Sequence, residues 1–454
     1  MNRNISLTQS PIFPALMGLA LPIMASSFFS TAYNITDMLW IGRLGASAVA
    51  GAGTGGMFLW FAAGVSVLSR MGGQVHAAQS YGRGEVERAR FYETAAMLMA
   101  GGTGTVLGII FCVFAPALTG LFGIADQETV RLAVLYLRIT GGLIVFSFLN
   151  NVLTGLFTAR GDSRTPLAAN TTGLAVNMLL DPILVLGPGP FPKLGVAGAA
   201  IATVTAQIIS TLVFVCCMAK TESIPAQAVP ARYYRDIFRV GLPSAMRSTL
   251  YCFFSMVLTR LTAGYGAGAI AVSRLGGQIE SITWNTADGF GAAMNSFTGQ
   301  NFGAGKYDRI RRGYRISFAA VVIWGLIITA AFVLVPRPIS ELFFFEEPVI
   351  LICMRYLTVV GLSEAFMSVE LLAEGAISGF GETRISSTIS IVLTGSRIPA
   401  AILLSRAGLG LNSIWWALAA TSMAKGIALH CAFYLVCRKK QLGSIHPSRR
   451  TVES

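Results

Sequence analysis

Two acidic residues lie inside long apolar stretches of the chain, where a charged side chain is expensive. Asp37 lies near the end of the first stretch, and Asp181 follows Asn177 by one helical turn in a later one. A charge near the centre of a membrane-spanning helix costs about 2.5–3.5 kcal/mol on insertion scales, so such residues usually have a function. Two neighbouring carboxylates favour one shared cation, either H⁺ or Na⁺. We predict such a site at Asp37, Asn177 and Asp181, the alternative for Asp37 being a position at the membrane interface.

These residues need a framework that lies in a membrane. The 454 residues are 54% hydrophobic and only 12% charged, whereas soluble domains carry roughly 25% charged residues. Apolar stretches long enough to cross a bilayer (~20 residues) recur without the two-residue alternation of barrel strands. The chain is therefore predicted to be an all-α polytopic membrane protein with twelve transmembrane helices. The predicted spans are 12–38, 47–69, 92–119, 132–158, 166–187, 195–219, 237–262, 269–298, 316–336, 349–378, 386–405 and 412–437.

The positive charges indicate an orientation in the membrane. An even number of spans places both termini on one side, and most of the 34 Lys and Arg residues fall in loops on that side. Positively charged loops are typically cytoplasmic, so both termini are predicted to be cytoplasmic, in a bacterial inner membrane. The same bias explains the net charge of +13 without nucleic-acid binding. The seven cysteines contain no CxxC pattern, so neither a disulfide framework nor a metal site is indicated.

The sequence contains an internal repeat. The turn Gln79–Arg88 matches Gln300–Arg309 at an offset of 221 residues, and Gly161–Arg164 matches Gly381–Arg384 at almost the same offset. Because each half has six spans, both halves enter the membrane the same way up. Their pseudo-two-fold axis should then lie along the membrane normal, with the substrate path between the halves. The predicted domains are an N-terminal lobe (1–220), a cytoplasmic linker (221–240), and a C-terminal lobe with a tail (241–454).

The repeat also separates the two halves chemically. At the repeat offset, the residues that correspond to Asp37, Asn177 and Asp181 are Leu258, Arg397 and Ala401. Polar residues that served packing common to both halves would have polar partners of the same sort. The predicted cation site is therefore specific to the first lobe. Span 1 contains Pro22, which interrupts helical hydrogen bonding, so a bend there is the predicted conformational response to ion loading.

Several motifs together resemble those of the multidrug and toxic compound extrusion (MATE) transporters. They are Leu21-Pro22 followed by Asp37 and Gly42, the Gln- and Gly-containing turns after spans 2 and 8, Gly161–Pro166, Asn177 with Asp181-Pro182, and Gly195–Thr203. The resemblance extends from span 1 to span 12. It implies a two-lobed exporter that expels amphipathic, often cationic compounds in exchange for H⁺ or Na⁺. It implies no cofactor other than this coupling ion.

The resemblance also adds candidate residues. Thr203 and Asn151 occupy positions at which similar transporters line the first-lobe cation site. Some members have a second-lobe Na⁺ site that uses an acid on span 7, but this chain has Arg247 there. The candidates for a second-lobe charged site are Glu280, Asp288, Glu370 and Glu374 with Arg247. Glu370 and Glu374 are expected either to pair with Arg247 or Arg397, or to attract a cationic substrate.

Three other functions are alternatives to transport. A membrane-embedded enzyme needs paired ligands or a nucleophile beside a base, and the three histidines lie far apart in the sequence. A channel would conduct ions without substrate, whereas an exchanger needs counterflow. A lipid or biosynthetic-product flippase of related architecture remains an alternative. The expected partners are small-molecule substrates and the lipid bilayer, without nucleic acid or an obligatory protein partner.

Overall fold

A computed structural model describes residues 6–188, 190–221 and 228–445. Part of the predicted linker, 222–227, and the end of the predicted tail, 446–454, lie outside the described residues. The described chain consists of helices joined by turns, and the prediction of an all-α fold is confirmed. The helices are α1 Ile12–Gly42, α2 Ala46–Arg83, α3 Val86–Gly120, α4 Gln127–Tyr136, α5 Val145–Arg160, α6 Arg164–Leu186, α7 Val196–Thr221, α8 Ala231–Ala263, α9 Ala267–Gly303, α10 Tyr307–Leu334, α11 Pro336–Glu341, α12 Glu347–Gly361, α13 Glu364–Gly379, α14 Thr383–Gly395, α15 Arg397–Leu404 and α16 Asn412–Ile445.

Every predicted span coincides with helical structure. Among the described residues, eight helical segments are long and apolar enough to cross a membrane, and two bent helix pairs raise this number to ten. The remaining two long helices, α8 and α9, coincide with predicted spans 7 and 8. These two helices carry charged residues within their apolar stretches, namely Arg247 in α8 and Glu280 and Asp288 in α9.

Predicted spans 4 and 10 are each divided into two helices with a bend between them. The first is divided between α4, which continues as a π-helical turn over Leu137–Gly141, and α5, at an angle of 48°. The second is divided between α12 and α13, at an angle of 47°. Glycines of the neighbouring helices let the backbone after each break approach closely, Gly104 against Val145 and Gly325 against Ala365. Hydropathy measures the length of an apolar stretch, so it cannot predict a bend within that stretch.

The internal repeat is visible in the packing. Three close contacts of a glycine occur at equivalent positions in both units. In each contact, a Cβ atom added to the glycine would collide with the neighbouring residue. Such close approaches are where the lack of a Cβ atom matters most. The three pairs of equivalent contacts are Gly55–Tyr136 and Gly276–Tyr356, Gly104–Val145 and Gly325–Ala365, and Gly141–Phe111 and Gly361–Phe332.

Contacts between helices divide the described chain into two units. The first comprises Leu21–Tyr81 and Glu85–Ser248, and the second comprises 6–20, 82–84 and 249–445. Helix α1 therefore begins in the second unit and continues in the first from Leu21, beside Pro22. Helix α8 does the reverse. The lobe boundaries at 220 and 241 stay a prediction, since this division falls inside α8.

The segment before α1 is attached to the second unit by hydrogen bonds. The carbonyl oxygen of Leu7 accepts from Asn301 Nδ2 and from Arg309 Nε, each at 3.1 Å. Lys306 Nζ donates to the carbonyl oxygen of Thr8 at 3.0 Å. Leu7 is fully buried. Leu7 and Thr8 are thus held beside the turn that joins α9 to α10.

Candidate cation-binding site

Three helices of the first unit carry the predicted cation ligands. Asp37 lies five residues before the end of α1, Asn177 and Asp181 lie on α6, and Thr203 lies on α7. Helices α6 and α7 pack along each other. Gly173 of α6 lies directly against the hydroxyl of Ser210 and the carbonyl oxygen of Ala206 in α7. This close approach is possible because glycine has no Cβ atom.

The structure brings Asp37, Asn177 and Asp181 together. Asn177 Nδ2 donates to Asp181 Oδ1 at 2.9 Å, and both residues are buried. The carboxyl group of Asp37, which is partly buried, interacts directly with that of Asp181. Among the described residues, no group donates a hydrogen bond to the buried atoms Asp37 Oδ1, Asn177 Oδ1 or Asp181 Oδ2. Such a group of acceptors attracts a cation.

Two tyrosines complete this cluster. The hydroxyl of Tyr33 lies 3.3 Å from Thr203 Oγ1. The hydroxyl of the buried Tyr136 interacts with Thr203 and with both carboxyl groups. Neither tyrosine was predicted from the sequence. Tyr33 was available as a signal, because it precedes Asp37 by one helical turn and so shares its face; Tyr136 comes from the bent span, whose geometry no sequence pattern revealed.

Asn151, which the resemblance added as a candidate ligand, forms its hydrogen bonds with α2. Its Oδ1 accepts from Arg70 Nη1 at 3.3 Å, and its amide donates to Ser66 Oγ. Both partners belong to α2. The contacts of Asn151 are therefore with α2 and not with the carboxyl pair.

A cavity of about 280 Å³ in the first unit connects these residues. Its wall is dominated by hydroxyl and carboxamide groups. Asn177 lines this cavity and also donates to Asp181. Tyr33 lines the cavity as well, and its hydroxyl contacts Thr203. The lining residues are Ser26, Ser30, Tyr33, Ser147, Asn150, Asn151, Thr154, Asn170, Gly173, Leu174, Asn177, Ala206, Gln207 and Ser210. A molecule in this cavity would touch side chains that hold the carboxyl pair.

The second unit contains buried charges at other positions. Glu370 Oε1 pairs with Lys425 Nζ at 2.6 Å, and the two residues are 7% and 4% exposed. Arg397 donates to the hydroxyls of Thr421 and Ser422, each at 2.9 Å. Of the alternatives expected for Glu370, the structure shows an ion pair, but its partner is Lys425 and not Arg247 or Arg397. Lys425 was recognisable from sequence as a cation deep in span 12, but its partner required the packing of α16 on α13.

The other second-lobe candidates are distributed along the helices. Glu280 of α9 accepts a hydrogen bond from the hydroxyl of Tyr356. Glu374 is buried on α13 and interacts with Lys425, and Asp288 is partly buried on α9. Arg247 belongs to the part of α8 that lies in the first unit. Glu364, which sequence analysis did not single out although it lies within predicted span 10, is fully buried at the start of α13.

Comparison with family models gives two matches. The model of the MatE family matches residues 22–183 and 243–403, one segment in each half of the repeat. A second model, that of the lipid II flippase MurJ, matches residues 105–265. The first match covers most of the chain and repeats at the internal offset.

Curated relatives match over nearly their whole length. The "Probable multidrug resistance protein NorM" of Thermotoga maritima is 26% identical over 88% of this chain and 87% of its own. The "FAD transporter" of Shewanella oneidensis is 22% identical over 95% of this chain and 96% of its own. The "Multidrug export protein MepA" of Staphylococcus aureus is 22% identical over 94% and 95%.

Solved structures show the same fold. A MATE transporter in complex with MaD3S superposes with a TM-score of 0.90 at 20% identity, covering 97% of this chain and all of the other. An outward-facing multidrug resistance MATE family transporter gives 0.89 at 21% identity, covering 97% and 99%. These structures have twelve transmembrane helices in two lobes, as predicted here. The chain belongs to the MatE family of multi-pass membrane transporters, which are not enzymes and need no cofactor.

Proposed function

We propose that this protein is a secondary efflux transporter that exports amphipathic, often cationic small molecules in exchange for inward H⁺ or Na⁺. It acts as a single chain in a bacterial inner membrane, with both termini cytoplasmic and lobes at 1–220 and 241–454. The observation that carries the proposal is the double role of Asn177, which donates to Asp181 and also lines the first-unit cavity.

The coupling ion acts at the carboxyl pair. When H⁺ or Na⁺ binds between Asp37 and Asp181, the repulsion between two buried carboxylates disappears. The oxygens of Asn177 and Thr203 supply further coordination for Na⁺ or acceptors for H⁺. Loss of the ion restores the repulsion, which favours a second arrangement of the lobe, and the bend of α1 at Pro22 changes as the two arrangements interconvert.

Substrate and ion are linked through shared side chains. A substrate that occupies the cavity contacts Tyr33 and Asn177, which interact with Thr203 and Asp181. A substrate that prefers the ion-free arrangement lowers the affinity for the ion, and the ion lowers the affinity for the substrate by the same factor. This reciprocity is the thermodynamic requirement for exchange.

The test is transport by the purified full-length protein in proteoliposomes, driven by a sodium gradient alone and by a pH gradient alone. Asp37→Asn and Asp181→Asn should each lower gradient-driven export on the order of tenfold to a hundredfold, the range of typical coupling free energies. Asp126→Asn is the matched control, because Asp126 is an exposed acid of the same unit at the start of α4. Wild-type export by either site variant, with normal insertion, would refute coupling at this pair.

A lipid flippase is the second candidate, and the MurJ match over residues 105–265 favours it. A flippase would translocate a fluorescent lipid-linked substrate in the same proteoliposomes. Lipid movement without gradient-driven export of a soluble amphipathic cation would select this alternative over the exchanger.

A further inference from the structure

We propose that Glu364 in the second unit is a proton-binding site that is separate from Asp37 and Asp181. In the arrangement described here, its side chain is a neutral carboxylic acid. The proposal concerns proton binding by the folded protein and therefore goes beyond the proposed exchange at the first-unit carboxyl pair.

The first observation is the burial of Glu364 without a donor. The residue is 0% exposed, and neither Oε1 nor Oε2 accepts a hydrogen bond from any described group. Burial of a carboxylate is strongly disfavoured where no side-chain or backbone donor replaces its hydration. The acid form removes this charge. Glu364 is thus unlike Glu370, whose oxygen is paired with Lys425 at 2.6 Å.

The second observation is the chemistry of the neighbouring side chains. Glu280 of α9 and Tyr356 of α12 both interact electrostatically with Glu364, and the hydroxyl of Thr283 lies beside its carboxyl group. Tyr356 donates to Glu280, and Arg397 of α15 also acts on Glu280. The ionised form of Glu280 therefore has a donor and a nearby cation, whereas Glu364 faces a like charge.

The remaining charges near α13 are accounted for by one another. Lys425 of α16 pairs with Glu370 and also interacts with Glu374 and Arg397. These groups offer Glu364 no counter-charge within ion-pair distance in the described part of the chain. Glu364 is consequently the carboxyl group that holds the proton, because the ionised forms of the neighbouring Glu280 and Glu370 each have a partner, Tyr356 and Lys425 respectively.

The position of Glu364 gives the proton a structural consequence. Glu364 is the first residue of α13, directly after the 47° break that follows α12. The break is closely packed: Gly325 lies against Ala365, and Thr329 Oγ1 donates to the carbonyl oxygen of Gly361 at 2.7 Å. Ionisation of Glu364 would place an uncompensated charge inside this packing, so release of the proton requires the break to rearrange or hydrate.

The experiment is infrared spectroscopy of the purified full-length protein, which detects the C=O stretch of protonated carboxyl groups. Glu364→Gln and Glu364→Met should each remove one such band, and Glu364→Asp should retain it. Glu341→Gln is the matched control, because Glu341 is exposed and bonded to Arg337; its spectrum should keep the Glu364 band. Both neutral variants should keep the wild-type melting temperature, since they replace a neutral side chain.

Three results would overturn the proposal. They are a wild-type spectrum without a band that depends on Glu364, loss of that band when NaCl is added at constant pH, and failure of both neutral variants to fold. Repeating the measurement in the Asp37→Asn/Asp181→Asn background separates this site from the first-unit pair. The band should persist there, whatever the outcome of the transport test.

Discussion

The two units use one framework for different chemistry. In the first, Asp37 and Asp181 face each other without a described cation beside them. In the second, the equivalent residues Leu258 and Ala401 belong to one hydrophobic cluster. Tyr356, which corresponds to Tyr136, joins the same cluster and directs its hydroxyl to Glu280. The repeat has preserved the packing of glycines and aromatic rings while the carboxyl groups have moved to other helices.

The difference also concerns how charge is compensated. The second unit neutralises Glu370 with Lys425 inside the chain. The first unit leaves carboxyl oxygens with no donor from the described residues. An internal ion pair is a fixed structural element, whereas an uncompensated pair of acids has room for an exchangeable ion. The comparison therefore contrasts one internal ion pair, Glu370 with Lys425, with the proposed exchange site at Asp37 and Asp181.

The largest expected effect is on the stability of the second unit. Glu370→Gln leaves Lys425 buried without its partner, and breaking such a pair by removing one member costs about 3–5 kcal/mol. Thermal unfolding of the detergent-solubilised protein should show a large fall in melting temperature. The double variant Glu370→Gln/Lys425→Met should recover most of it. Asp181→Asn, which relieves repulsion in the first unit, should not destabilise; an equal loss there would erase the proposed contrast.

The glycine contacts should respond alike in both units. Alanine at Gly55 would place its Cβ 2.8 Å from the ring of Tyr136, and alanine at Gly276 would collide with the ring of Tyr356. Overpacking of this kind costs about 1–3 kcal/mol, measurable as a lower melting temperature.

The matched controls for these two variants are adjacent glycines. Gly56→Ala and Gly277→Ala meet nothing within 4 Å, so neither should lower the melting temperature. A loss in one unit only would show that the repeated contact does not serve the same packing role in both.

A smaller effect is expected from removing one hydroxyl in each unit. Tyr356→Phe deletes the donor to Glu280 and should cost about 0.5–1.5 kcal/mol, the net contribution of a typical hydrogen bond. Tyr136→Phe should change ion-driven export more than stability, because its hydroxyl adjoins the carboxyl pair. The melting temperature and the ion-driven export of both variants should be measured in parallel. Equal changes in both quantities for Tyr356→Phe and Tyr136→Phe would contradict the proposed difference between the units.

The smallest effect concerns the helix starts outside the membrane. Asp126 caps α4 by accepting from the backbone N–H groups of Glu128 and Thr129, whereas the equivalent Glu346 makes no side-chain cap at α12. Asp126→Ala should therefore lower the melting temperature slightly, and Glu346→Ala should not. Hydrogen bonds from Thr129 and Ser47 lower the pKa of Asp126. The cap is therefore present above the unfolded-state pKa and is lost as pH falls through the lowered one. A pH-independent difference between Asp126→Ala and wild type would contradict this account.

Sequence revealed the parts of the fold that depend on composition and repetition. Apolar length predicted every helical span, and the match of Gln79–Arg88 with Gln300–Arg309 predicted the duplication. The cost of a buried charge led to Asp37 and Asp181, which the structure brings together. These inferences succeed because the membrane imposes the same requirement at every position of a span.

The remaining features depend on the direction of the helix axes and on contacts between residues that are distant in the sequence. The bends in spans 4 and 10 leave the hydropathy unchanged, so Tyr136 and Tyr356 were not connected with the carboxyl groups. Spacing alone also did not show which cation Glu370 pairs with, because Lys425 lies on a different helix. The bonds of Asn151 to Arg70 and Ser66 of α2 likewise join residues that are far apart in the sequence.

The position of the segment before α1 has a consequence for biogenesis. The segment before α1 bonds to Asn301, Lys306 and Arg309, which are synthesised almost three hundred residues later. Leu7 and Thr8 therefore acquire these neighbours only after the α9–α10 turn has been synthesised. A fragment cut after the sixth span lacks those neighbours, so this segment can form its native contacts only in a chain that extends through the α9–α10 turn.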